Sequence, residues 1–124
     1  MVEVFRKYND TMSSVHYNPG VKKVVDSILM ENPSVAAGKM FGFPAYYINR
    51  KLFACVYEEG VGLKVPENIA KELIGKKGIT QFQPLGRPKM KEWIQINREN
   101  PEHYLRDRKV FEISINYVAL LSNK

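Results

Sequence analysis

The chain has 124 residues, 44% of them apolar and 26% charged, with 19 Lys and Arg against 13 Asp and Glu for a net charge of +6. Such a chain can bury a core of its own as one domain, which excludes wholesale disorder. Its one cysteine, Cys55, excludes an intrachain disulfide and fits a reducing compartment. No apolar run approaches the roughly 18–20 residues of a membrane span, and the first residues lack the pattern of a signal peptide, so the expected location is cytoplasmic, with no membrane contact. The surplus of positive charge attracts polyanions in general without identifying one.

Residues 1–18 carry little periodicity and read as a partly ordered N-terminal arm, with a short helix over 2–8; residues 19–124 read as a single domain. The first firm helix is predicted over 19–30. Asn18 can cap it, Pro19 gives up only an amide that would be unpaired anyway, and Val21, Val24, Val25, Ile28 and Leu29 recur at helical spacing. Asn32-Pro33 ends it. From Ala36 to Val65 the period becomes that of strands. Turns at Asn49-Arg50-Lys51 and Glu58-Glu59-Gly60 divide runs over 45–48, 52–57 and 61–65, and such short turns make the three strands antiparallel neighbours. Pro66 and Glu67 open a second helix that Ile69, Leu73 and Ile74 make amphipathic and Gly75 closes. Strands over 79–82 and 90–96 follow, separated by a stiff connection containing Pro84 and Pro88. The last helix starts near Asn100-Pro101 or, after a break, at Asp107, and runs to about Leu121; its wide apolar arc requires cover on more than one side. The order α-β-β-β-α-β-β-α implies an α+β two-layer sandwich, a five-stranded antiparallel sheet with helices on one face.

Three short motifs, Lys39-Met40-Phe41-Gly42, Lys51-Leu52-Phe53-Ala54 and Gly62-Leu63-Lys64-Val65, resemble the N-terminal domain of the TfoX family. Pro84-Leu85-Gly86-Arg87-Pro88-Lys89-Met90 looks like that family's Gly-Arg-Pro loop, and Trp93 falls where an aromatic is usual. The resemblance spans about residues 20–121 and implies a stand-alone domain of that type with the same two-layer fold. Phe43-Pro44 departs from it, standing where the family more often has small, glycine-rich residues.

The residues that could carry chemistry do not assemble into a catalytic pattern. His16 and His103 have no histidine or cysteine at ligand spacing, and Cys55 sits mid-strand among apolar residues that do not stabilise a thiolate. Glu58 and Glu59 lie in a turn, and the glycines form no phosphate-binding pattern. The expectation is a non-enzyme with no catalytic residues, no metal and no cofactor. The more informative feature is the strand over 52–57, apolar on both sides, with Leu52, Ala54 and Val56 expected on one face and Phe53, Cys55 and Tyr57 on the other. If helices cover one face, something else covers its reverse, and a second copy of the chain is the simplest cover. The candidate interaction surface is Phe53, Tyr57, Arg87, Lys89, Lys91 and Trp93. The expected function is protein association or regulation as a homodimer, with an unidentified protein partner also open. The alternative is nucleic-acid binding, with Trp93 as stacking ring and Arg87, Lys89 and Lys91 as cations.

Overall fold

The computed structural model describes residues 15–84, 87–88 and 90–122. The short helix expected over 2–8 therefore lies outside the described residues. Asn18 starts helix α1 (Pro19–Leu29): its Oδ1 accepts hydrogen bonds from the amides of Gly20 at 2.8 Å and Val21 at 3.3 Å. Val21, Val25, Ile28 and Leu29 form the buried stripe that the spacing predicts.

Four antiparallel strands follow, not three: β1 (Val35–Met40), β2 (Phe43–Ile48), β3 (Lys51–Tyr57) and β4 (Gly60–Lys64). Helix α2 (Glu67–Leu73), strands β5 (Ile79–Gln81) and β6 (Trp93–Ile96), a 3-10 segment (Pro101–Asp107) and helix α3 (Arg108–Ser122) complete the chain. The sheet has six strands in the order β1-β2-β3-β4-β6-β5, so the five-strand expectation is corrected to six. The missed strand is β1. Its Ala-Ala-Gly centre has little strand propensity, and its turn, Phe41-Gly42, is not an Asn-Gly signal. Both turn residues nevertheless take positive φ, 50° and 89°, and Met40 pairs with Phe43 across them. That backbone matches the twist of a two-residue hairpin. The break expected in the last helix is the passage from the 3-10 segment into α3.

The three helices share one core with one face of the sheet. Val25, Leu29, Ala70, Phe111 and Val118 pack with Tyr46, Val56, Val61, Leu63, Ile94 and Ile96. Polar ties fasten the layers: the buried Tyr46 hydroxyl donates to Asp26 of α1, and Tyr104 of the 3-10 segment, fully buried, donates to the Ile96 carbonyl at 2.9 Å. No helix among the described residues is long and apolar enough to cross a membrane.

Between β2 and β3 the register jumps from Tyr47↔Leu52 to Tyr46↔Ala54, which leaves Phe53 as an extra residue. Such a bulge resets the alternation of faces. Leu52, Cys55 and Tyr57 consequently belong with the reverse face, and Phe53, Ala54 and Val56 with the helix-side core. The alternation expected from sequence was right beyond the bulge and inverted before it.

Candidate interaction face

The face of the sheet away from the helices carries a second apolar cluster. Ala45, Cys55, Phe82 and Trp93 are its buried members, with Met40, Tyr47, Leu52, Tyr57 and Met90 partly buried around them. Four rings run across it in sequence. Phe43 and Tyr57 lie 4.7 Å apart between centroids, Tyr57 and Phe82 meet edge to face at 5.5 Å, and Phe82 and Trp93 are 5.5 Å apart. These separations fall within the range of favourable aromatic pairs.

Gly62 makes the row possible. It is opposite Cys55 on β3 and Gln95 on β6, and the Phe82 ring rests on its backbone: a Cβ there would lie 2.6–2.9 Å from three ring atoms. Phe82 follows the edge strand β5, so its side chain reaches across β6 to β4 and covers the face from the edge inward. Cys55, beneath this layer, is fully buried, and burial pushes its thiol up to about 12. A thiol so protonated at neutral pH is a packing group, not a nucleophile.

Beside the ring row the face opens into a cavity of about 300 Å³, whose walls include Met40, Phe41, Leu52, Phe82, Arg87 and Trp93. Phe41 is 64% exposed and holds a left-handed φ of 50°. A bulky side chain in that region is strained, and glycine or asparagine would occupy it more cheaply. An exposed phenylalanine in a strained turn at the mouth of an apolar cavity is the feature of this face that packing among the described residues does not require.

The candidate residues named from sequence fall into different places. Tyr57 belongs to the ring row, half-buried. Arg87 is exposed at the cavity and Lys91 is exposed in the turn before β6. Trp93 is on the expected face but only 8% exposed and packed on Phe82, so it offers no free ring for a base. Phe53 is corrected: it is fully buried in the helix-side core, because the bulge turns it inward. Lys89 lies outside the described residues. Sequence reasoning missed Phe41 and Phe82, and the signal that could have found Phe82 is Gly62, a strand glycine that marks a close approach.

Two of the residues weighed for chemistry, His16 and Glu59, are tied to each other in structure. Glu59 accepts from Asn18 Nδ2 at 3.1 Å and pairs with His16 Nε2 at 2.9 Å; these bonds, led by that from Asn18, hold its carboxyl below the usual range. Together with the Asn18 amide donating to the Glu58 carbonyl at 3.2 Å, they fasten residues 16–18 to the β3–β4 turn. Among the described residues no three His, Cys, Asp or Glu side chains gather as a metal site.

The sheet also has an unequal pair of edges. β5 is three residues long, whereas β1 runs for six, and Ala36, Ala37, Gly38 and Lys39 are all exposed along it. Comparison with known proteins finds no matching family model, no matching curated protein and no matching solved structure.

Proposed function

We propose that this chain is a non-catalytic association domain, of the kind its resemblance to TfoX N-terminal domains suggests, and that its first partner is a second copy of itself. The observation that carries the reading is the β1 edge. An edge strand presents a row of unpaired N–H and C=O groups, and proteins that stay monomeric shorten it, bulge it, or load it with charge and proline. β1 has six residues in unbroken register with β2, and Lys39 is the one charge it bears. Small side chains at Ala36, Ala37 and Gly38 let another strand approach.

Two β1 strands related by a two-fold axis would join two six-stranded sheets into one continuous sheet. With the axis through Ala37, each Lys39 faces a Val35 and the two ammonium groups stay apart. Each copy then presents its Phe41 and apolar cavity close to the junction, which gives the exposed ring a neighbour from the other chain.

The test is light scattering on the wild type beside Ala36→Lys and Ala37→Lys. These substitutions place charges at the junction on opposite sides of the sheet, at positions already exposed in the single chain. The wild type should have twice the mass of the chain, and both variants should fall to one chain with little change in melting temperature. A wild-type mass of one chain defeats the proposal, and a dimer that survives both variants moves the contact away from β1.

A further inference from the structure

On the opposite side of the molecule from β1, near β5, the turn into that strand, the segment after β6 and the 3-10 segment enclose a cavity of about 480 Å³. Lys77, Arg98, His103 and Arg106 line it together with Glu99. The first fixed element is Arg98. Its Nε and Nη2 donate to the two oxygens of Asp107 at 3.0 and 2.7 Å, and its Nη1 donates to the Lys77 carbonyl at 2.8 Å. Asp107 is 6% exposed, so the guanidinium is anchored from behind by a buried carboxylate. A guanidinium has five N–H bonds. Three are occupied, and two, one on each terminal nitrogen, are left over.

The second fixed element is the turn. Gly78 has φ 77°, and a Cβ on it would stand 2.4 Å from the Asn97 carbonyl oxygen and 3.0 Å from Arg98 Nη1. Only a glycine lets the turn press this closely on the end of β6, which brings Lys77 beside Arg98. Lys77 and Arg106 are exposed, and neither has an ion-pair partner among the described residues. Asp107 offsets Arg98, which leaves the charges of Lys77 and Arg106 and one imidazole against the single carboxylate of Glu99.

We propose that this cavity binds a small hydroxylated phosphate monoester. A preorganised guanidinium with N–H groups to spare and a mobile ammonium beside it suit the oxygens of a phosphate dianion. Glu99, which would repel a second anion, accepts hydrogen bonds from the hydroxyls of the organic part. The volume lies within the roughly 300–1,000 Å³ of small-molecule sites and exceeds what an inorganic anion alone would fill. This site shares no residue with the β1 edge and does not depend on association.

The test is a titration of the full chain with ribose 5-phosphate, followed by amide chemical shifts and calorimetry, with ribose and sodium sulfate as controls. Saturable shifts should centre on Gly78, Arg98, Glu99 and His103. Lys77→Ala and Arg106→Ala should each weaken binding about tenfold, the loss expected for one charge-assisted hydrogen bond. Melting temperature without ligand should stay the same, because both side chains are exposed and unpaired. Arg87→Ala, on the reverse face of the sheet, should bind as the wild type does. Absence of saturation at millimolar ribose 5-phosphate overturns the proposal. So do equal shifts with sulfate, or affinity that is unchanged in both Lys77→Ala and Arg106→Ala.

Discussion

Replacing Gly62 with alanine puts the packing of the helix-free face to a direct test. The new methyl group would meet the tip of the Phe82 ring at 2.6–2.9 Å, closer than real carbon contacts allow. Phe82 is 1% exposed and wedged between Tyr57 and Trp93, each 5.5 Å away by centroid, so its ring has no low-energy direction to retreat. Forcing a methyl into a packed site costs about 1–3 kcal/mol. Alanine returns roughly 0.5–1 kcal/mol of that by restricting the unfolded chain relative to glycine. The net loss should therefore be centred on about 1 kcal/mol within a range of about 0–2.5, a fall of about 4 °C in melting temperature for a domain of this size. Thermal unfolding followed by circular dichroism measures it. In a Phe82→Leu background, where the ring tip is gone, the same Gly62→Ala change should be close to neutral, so the double variant should be less destabilised than the sum of the singles. A Gly62→Ala variant that melts at or above the wild-type temperature would show that Phe82 does not lie on Gly62 and would remove the second core.

Three further outcomes follow from the same geometry. Cys55 should react with a thiol reagent at an appreciable rate only after denaturation, since burial holds its pKa up to about 12; rapid labelling of the folded protein would contradict its placement under Phe82. Burial keeps Tyr104 protonated up to about 12 against an ordinary tyrosine value near 10, and outweighs the opposing pull of the Arg98 amide and charge. A group whose folded pKa is raised gives its stabilisation in full below its unfolded pKa and loses it as pH climbs through the folded one. Stability should thus fall between about pH 10 and 12, where Cys55, Tyr46 and Tyr117, also raised, contribute too, and Tyr104→Phe should make that fall shallower; an unchanged slope would mean Tyr104 does not contribute to it. In the Ala37→Lys background, Phe41→Asn should raise the melting temperature by a few degrees, because asparagine tolerates φ 50° and the Phe41 ring is 64% exposed. A clear fall would show that Phe41 packs within its own chain.

Much of the fold was legible because its local signals agree with its packing. Asn18-Pro19 announces a helix start by capping chemistry, and the stripe from Val21 to Leu29 announces the buried side. What was illegible depends on contacts between strands. A bulge is a property of the pairing of β2 with β3, so nothing within the run from Leu52 to Tyr57 reveals that Phe53 turns inward. The strand β1 was hidden because alanine and glycine hold it by pairing with β2, not by their own preference. At the candidate face the aromatic composition could be read, but not which rings are free. Trp93, the more conspicuous residue in the sequence, is packed against Phe82, while Phe41, in an unremarked turn, is the ring left in solvent.

Association through β1 is the property on which the proposed function rests. Static light scattering of the wild type at micromolar concentration, with Ala37→Lys alongside, measures this in one experiment. The prediction is twice the chain mass of 14.3 kDa for the wild type and a single chain for the variant. A wild type that scatters as one chain over the whole micromolar range would contradict it.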